Sequence, residues 1–225
     1  MYQYIMVFQI ICILLTGGFL YVLCESEALK NKKYRASLIG TMIGFFLMQS
    51  GYGVFLQAVT LEGLQMGEMI CRIGKILVVL FWIMTCGFLC GEWKKTAQSF
   101  LWIIALSEAV FVYFVPLRRM VRKHDSMLQN QYFYYIEGEY SWIFRLGVIL
   151  LTAGLLFSIF LIGKQMKKGL PKSTGLLLII GTLMPLIAAY IPQSISRFYD
   201  LTIPAGMLAE ILLFKIVLCN LQKIE

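Results

Sequence analysis

Long runs without a single charged side chain most constrain what this chain can fold into. Residues 1–24, 36–61 and 173–196 contain no Asp, Glu, Lys or Arg. A helix needs about 20 consecutive apolar residues to cross the hydrocarbon core of a membrane. Across the whole chain 60% of the residues are hydrophobic and only 14% are charged, unlike the balance of a soluble domain. The sequence therefore predicts a multi-pass membrane protein.

The same pattern divides the chain into seven predicted spans separated by charged stretches. Pro185 inside the sixth is tolerated in a membrane helix. The seventh must include Glu210 and reach Lys215, whose long side chain can extend to the interface. We predict one all-α domain over residues 1–225, a polytopic bundle with transmembrane helices at about residues 4–24, 37–59, 69–91, 96–117, 143–163, 173–196 and 201–218.

Positive charges predict the orientation of the chain, because cytoplasmic loops are enriched in Lys and Arg. With the N-terminus outside, twelve of the twenty Lys and Arg side chains fall on the inner side. The net charge of +8 then reflects loops that face anionic lipid, and no nucleic-acid partner is expected. The cluster from Arg118 to Lys123 stands against this orientation, since it falls outside. If it were cytoplasmic, a neighbouring span would have to be re-entrant or absent.

Sequence motifs argue against an enzyme. The chain contains no P-loop, HExxH or GxSxG motif, and its six cysteines form no CxxC pair. Cys86 and Cys90 fall in the inner half of the third predicted span, whereas His124, the only histidine, falls in an outer loop. This separation disfavours a cysteine–histidine dyad. We expect no catalytic site, no cofactor and no metal site.

Ionisable side chains inside predicted spans are the first candidates for function, because a charge at mid-bilayer is costly. Glu108 and Glu210 qualify, and Arg72, Lys75 or Arg145 could serve as partners near the outer face. The competing interpretation of each glutamate is a structural hydrogen bond inside the bundle. The lysine that follows Glu210 lies about 140° around the helix. Glu210 must therefore find its partner on another helix.

Glu68 and Arg72 have the i,i+4 spacing of a helical ion pair, and Lys75 follows three residues later. One interpretation is a stabilised entrance to the third span. The other is an anion-binding lip that uses Lys75. In the second span, Gly40 and Gly44 form a G-x-x-x-G pattern that predicts a close helix contact within the bundle.

The segment between the fourth and fifth spans is the most distinctive polar feature. The spacing of the basic residues from Arg118 to Lys123 predicts that the fourth span continues outward as a basic helix. Six aromatic residues follow in QNQYFYYIEGEYSW, among them Tyr140 and Trp142. They form either an interfacial belt or a lid that binds a small or peptide ligand at the outer face. Basic and aromatic residues together would suit an anionic amphiphile.

Several segments, taken in chain order, resemble one family of sensor domains. They are GVFLQAVTLEGLQMGEMICRIG, LCGEWKK, EYSWIFRLG, GLLLIIGTLMPLIAAYI and DLTIPAGMLAEILLFKIVL. From about residue 38 to residue 223 the chain resembles the N-terminal seven-transmembrane sensor region of bacterial histidine kinases and of some diguanylate cyclases. Glu210 departs from the family pattern, which has an apolar or small residue there, and we expect no output domain after the seventh span.

The resemblance implies a signal-transduction role in the plasma membrane of a bacterium. A signal in or outside the membrane would pass as a helix movement through the seventh span to a kinase or cyclase in trans, as in a two-component system. A homodimer is compatible with this role. The alternative is a permease or transporter subunit of an export system with a separate ATPase. A structural or regulatory membrane subunit is the third hypothesis.

Overall fold

The computed structural model describes residues 2–25, 32–90, 95–114, 118–125, 130–137, 141–190 and 202–221. Within these ranges the chain forms seven helices and one β-hairpin, and one helix lies over each predicted span. The elements are α1 (Tyr2–Glu25), α2 (Lys32–Gln57), α3 (Leu61–Cys90), α4 (Lys95–Phe114), β1 (Arg118–Asp125), β2 (Asn130–Glu137), α5 (Ser141–Met166), α6 (Lys172–Tyr190) and α7 (Thr202–Leu221). Residues 191–196 of the sixth predicted span lie outside the described residues.

Four of the described helices are long and apolar enough to cross a membrane. These segments are Val7–Glu25, Lys32–Gln57, Glu62–Leu89 and Leu146–Met166. Helices α4 and α6 contain shorter apolar segments, Leu101–Val110 and Lys172–Ala188. The chain is therefore a helical bundle suited to a lipid bilayer, whereas seven crossings and an outer N-terminus stay predictions.

Helix α1 shows the pattern of a lipid-facing helix most clearly. Its polar side chains Gln9 and Thr16 are buried, whereas Leu14 is 69% exposed and Tyr21 is 68% exposed. A helix on the surface of a soluble protein has the opposite arrangement, with its apolar stripe facing the core. Lipid tails can cover the exposed apolar side chains, so the polar face of α1 is free to pack inside the bundle.

Helix α3 differs most from its predicted bounds. It begins at Leu61, eight residues before the predicted start, and has 30 residues. Glu62 and Glu68 suggested a loop there, but acidic side chains are favourable near a helix N-terminus. A helix of this length extends about 45 Å, which exceeds the apolar core of a bilayer by about 15 Å. Because charged side chains are costly in the hydrocarbon core, we expect the excess at the end that carries the two glutamates.

The predicted G-x-x-x-G contact is confirmed, and its partner is α3. A Cβ atom added at Gly44 would lie 2.7 Å from the backbone nitrogen of Val78, and one at Gly40 would lie 2.5 Å from the Phe81 ring. Such distances leave no room for a side chain. Helices α2 and α3, which are joined by residues 58–60, therefore touch backbone to backbone.

The same contact continues toward the connection between the two helices. A Cβ atom at Gly51 would overlap the backbone of Cys71, and one at Gly74 would lie 2.7 Å from the Cα atom of Met48. Both helices thus contribute glycines to one interface. This pair has the most extensive contact between two described helices.

The predicted basic helix after the fourth span is wrong. Residues Arg118–Asp125 form strand β1, which pairs antiparallel with β2 so that Arg118 lies opposite Glu137 and Lys123 lies opposite Tyr132. The aromatic and β-branched residues of the second segment favour a strand, and a strand needs a partner. The fold class is a helical bundle, as predicted, with one hairpin between α4 and α5 in place of the predicted basic helix.

Helix α7 contacts helices from both halves of the chain. It packs against α6 on one side and against α2 and α1 on the other. Helix α3 contacts α2, α4 and α5, and α5 contacts α6. The space between α2, α3, α5, α6 and α7 is therefore bordered by two groups of helices, α2 with α3 and α5 to α7, which α4 and the hairpin separate in sequence.

The predicted orientation can be tested at the hairpin. A reporter enzyme that is active only outside the cytoplasm should be active when it is fused near Gln131 in β2, because this segment is predicted to lie outside. A second fusion at Lys168, in the turn between α5 and α6, serves as the control and should be inactive. Activity at Lys168 without activity at Gln131 would reverse the orientation.

Candidate functional site

Glu210 on α7 is 1% exposed and lies against α1 and α2. Its Oε2 accepts a hydrogen bond from Gln49 Nε2 at 3.2 Å and lies 3.0 Å from Thr16 Oγ1. Thr16 Oγ1 is also 2.8 Å from Gln49 Oε1. One side chain from each of three helices thus meets at a single point. We call Gln9, Thr16, Gln49 and Glu210 the polar cluster.

The hydroxyl of Thr16 has several acceptors to choose from. It lies 3.0 Å from the backbone oxygen of Cys12, in addition to its contacts with Gln49 and Glu210. A hydroxyl donates only one hydrogen, so it can serve one of these acceptors at a time. The polar cluster therefore has more than one hydrogen-bonding arrangement available without a large movement of the backbone.

Gln9 attaches the first turns of α1 to the same cluster. Its Nε2 donates to the backbone oxygen of Gln49 at 2.6 Å. Within the described part of the chain, Gln9 Oε1 and Glu210 Oε1 have no hydrogen-bond partner although both atoms are buried. Buried polar atoms are nearly always paired, so an unpaired one in a native structure calls for a specific explanation. Only part of the hydrogen-bonding capacity of the polar cluster is therefore used by the described residues.

Among the described residues, Glu210 pairs with neither Arg72 nor Lys75, whereas the side chain of Arg145 lies outside those residues and its pairing stays a prediction. The hydrogen bonds of Glu210 go to neutral side chains on α1 and α2, as its spacing from the next lysine on α7 allows. Helix α7 packs against α1, α2 and α6, so Glu210 meets the polar side chains of the first two helices. Arg72 and Lys75 border a cavity instead.

Glu108 on α4 occupies a different site. It is 5% exposed, and a Cβ atom added at Gly147 of α5 would overlap its carboxyl group. Among the described residues its Oε2 has no hydrogen-bond partner. The side chain of Arg145, two residues from Gly147, lies outside the described residues, so pairing of Glu108 with Arg145 stays a prediction.

A largely apolar cavity of about 210 Å³ lies between α2, α3, α5, α6 and α7. Phe45, Met48 and Trp82 form part of its wall, and Ala209, the residue before Glu210, is also part of it. Among the described residues that line the cavity, only Arg72 and Lys75 are charged, and both are cationic. The cavity combines an apolar interior with two cationic side chains from one helix.

The ion pair between Glu68 and Arg72 is confirmed, so the entrance of the third span is stabilised as its spacing predicts. The anion-binding lip is the other interpretation of this segment. It gains support because Arg72 and Lys75 border the cavity. The two interpretations are compatible, since Arg72 can contribute to both.

Trp82 connects α3 to α6 beside this cavity. Its Nε1 donates to Thr182 Oγ1 at 2.8 Å, and Thr182 Oγ1 in turn lies 2.7 Å from the backbone oxygen of Leu178. A Cβ atom at Gly181 would lie 2.9 Å from the Trp82 ring. The indole is therefore fixed by a hydrogen bond and by a tight contact with the same helix.

The outer-loop candidates are less well defined. Tyr140 lies outside the described residues, and Trp142 belongs to α5 but its side chain is not among those described. Sequence reasoning missed Gln9, Thr16 and Gln49. Their signal was the presence of polar side chains in otherwise apolar runs, whereas the candidates inside the spans were restricted to charged residues.

The chain matches no protein-family model, and no curated protein is significantly similar to it. The resemblance to sensor regions of histidine kinases, and the absence of enzyme activity, stay predictions.

Proposed function

We propose that this chain is an integral membrane signal-sensing module that acts on a cytoplasmic kinase or cyclase partner through α7. The observation that carries the proposal is the buried polar cluster that holds α7 to α1 and α2 through Glu210. The resemblance to seven-transmembrane sensor regions supports the same role.

Polar contacts contribute more to the positions of helices in a membrane than apolar burial does. Lipid tails are as apolar as a leucine side chain, so burial of apolar surface does little to hold helices together. Packing and interhelical hydrogen bonds fix their relative positions instead. The contacts of Glu210 with Thr16 and Gln49 therefore help to set the rotation and height of α7 in the bundle.

The cluster also has the properties of a two-state element. Thr16 can donate to Glu210, to Gln49 or to the backbone of its own helix, and Glu210 Oε1 has no partner in the described chain. Shifts of about 1–2 Å are typical of helices that carry signals. A shift of this size would exchange hydrogen bonds within the cluster at low cost.

A fusion protein tests whether α7 transmits a signal. The end of α7 is joined through a continuous helix to the catalytic part of a histidine kinase, and autophosphorylation is measured in membrane vesicles. Glu210→Leu should change kinase activity by about fivefold or more, because a hydrogen bond of about 1 kcal/mol shifts a two-state ratio by that factor. Glu210→Gln should change it less, because glutamine keeps a hydrogen-bonding group.

Leu208→Ala provides the matched control, since Leu208 is on the same helix and is exposed toward lipid. Its kinase activity should equal that of the unaltered fusion. Protein levels in the membrane are compared for all variants, so that loss of folded chain is recognised. Equal kinase activity of Glu210→Leu and the unaltered fusion would contradict transmission through the polar cluster.

A further inference from the structure

We propose that the cavity between α2, α3, α5, α6 and α7 binds a single-chain anionic amphiphile. The carboxylate or phosphate head would lie at Arg72 and Lys75, and the alkyl chain would lie against the apolar wall that includes Trp82. The binding site stands on its own geometry. Its role as the input of the sensor rests on the proposed function.

The positions of the two cations match an anionic head group. Arg72 and Lys75 are three residues apart on α3, so they lie on one face of the helix. Arg72 also pairs with Glu68. A guanidinium group has five N–H donors arranged as a fork, so an ion pair to one carboxylate is compatible with contact to a second anion.

The depth of these residues in the membrane is also suitable. Arg72 is about 16 Å and Lys75 about 21 Å from the start of α3. The helix exceeds the apolar core by about 15 Å. With the excess at the N-terminal end, both cations lie close to the level of lipid head groups. An amphiphile that inserts its chain between the helices would present its head at the same level.

The size of the cavity favours one chain over two. An apolar cavity of about 150 Å³ is large enough for benzene, so about 210 Å³ can take an alkyl segment. Pockets for drug-sized ligands begin at about 300 Å³. This volume accommodates part of one alkyl chain, so we propose a single-chain ligand and test a phospholipid against it.

Binding at this site would reach the polar cluster directly. Ala209 and Gly206 of α7 line the cavity, and Glu210 is the next residue after Ala209. An alkyl chain that packs against α7 would stabilise one position of this helix over another. The site thus supplies a route from an amphiphile in the membrane to the contacts of Glu210.

Direct binding to the purified chain tests the proposal. The chain is placed in nanodiscs of phosphatidylcholine, and binding of radiolabelled laurate is measured. Unlabelled dodecyl phosphate should displace laurate, whereas dodecanol and dodecyltrimethylammonium should not. Combined Arg72→Gln and Lys75→Gln substitutions should weaken binding at least about tenfold, because charge-assisted hydrogen bonds are lost.

Two further variants separate the head-group site from general charge and from the cavity. Lys164→Gln combined with Lys167→Gln removes the same charge away from the cavity and should leave laurate binding unchanged. Thr152→Phe places a larger side chain in the cavity lining without altering either cation, and it should also weaken binding. Thermal unfolding of each variant shows whether the bundle is intact.

Each outcome decides the proposal. Unchanged binding in the Arg72 and Lys75 variant, or equal displacement by dodecanol, would overturn it. Displacement of laurate by phosphatidylglycerol in the nanodisc would replace the single-chain ligand with a resident phospholipid and would also overturn it. Laurate binding without any effect on the kinase fusion would leave the site standing and count against the proposed function. An effect of Glu210→Leu on kinase activity without laurate binding would overturn the ligand site and leave the proposed function standing.

Discussion

Gly51→Ala is expected to lower the free energy of unfolding by about 1–3 kcal/mol, as overpacked sites do. Elsewhere in a helix this substitution is favourable, because alanine has a higher helix propensity than glycine by about 1 kcal/mol. At Gly51 the new Cβ atom would overlap the backbone of Cys71 on α3. Backbone cannot rotate away as a side chain can, so α2 and α3 must separate and lose their close contact.

Gly53→Ala is the matched control on the same helix. A Cβ atom there would lie 3.7 Å from Gln9 Cγ, which is an ordinary contact distance. Its free energy of unfolding should stay equal or rise by up to about 1 kcal/mol. Unfolding in mixed micelles, followed by tryptophan fluorescence, compares the two variants. A Gly51→Ala protein as stable as Gly53→Ala would show that α2 and α3 are not in backbone contact.

Trp82→Ala should be the most damaging substitution around the cavity. Removal of a large buried aromatic side chain costs about 3–5 kcal/mol in soluble cores. We expect about 3 kcal/mol here, because the lipid environment removes part of the hydrophobic term while the loss of packing remains. Trp82 is 3% exposed and its Nε1 donates to Thr182, so both packing and a hydrogen bond are lost.

Two comparisons separate these contributions to stability. Thr182→Val keeps the shape of the side chain and removes the acceptor, so it should cost about 1–3 kcal/mol for the unpaired indole N–H. Phe160→Ala removes an aromatic side chain of α5 that is 65% exposed toward lipid, and it should cost less than either. Equal stability of Trp82→Ala and Phe160→Ala would mean that Trp82 does not fix α3 to α6.

The helices could be predicted from the sequence because bilayer thickness sets a length that charged residues interrupt. The start of α3 could not, because Glu62 and Glu68 interrupt the apolar run while the helix continues through them. The hairpin could not either. The basic residues of β1 fit a helix by their own spacing, and only pairing with β2 makes them a strand.

The site was predictable only in part, for a physical reason. Glu210 stood out because a carboxyl inside an apolar span is costly, and the angle to the next lysine showed that its partner lay elsewhere. Thr16 and Gln49 are 194 and 161 residues away from it. A local sequence pattern covers only a few residues, so it cannot relate positions this far apart. Five helices together line the cavity. The sequence could therefore indicate Arg72 and Lys75 as an anion site, but it could not show that an apolar cavity lies beside them.

The separation of Thr16 and Glu210 also affects how the protein is made. At about 5–20 residues per second, a ribosome would need about 10–40 s to progress from Thr16 to Glu210. Gln49 is only 33 residues beyond Thr16, so α2 can cover the polar face of α1 early in synthesis. Helix α7 would then be inserted against a pair of helices that already presents its hydrogen-bonding groups. A nascent chain halted before α7 would keep Thr16 and Gln49 in the membrane without their hydrogen bonds to Glu210. Cellular quality control could recognise these polar groups.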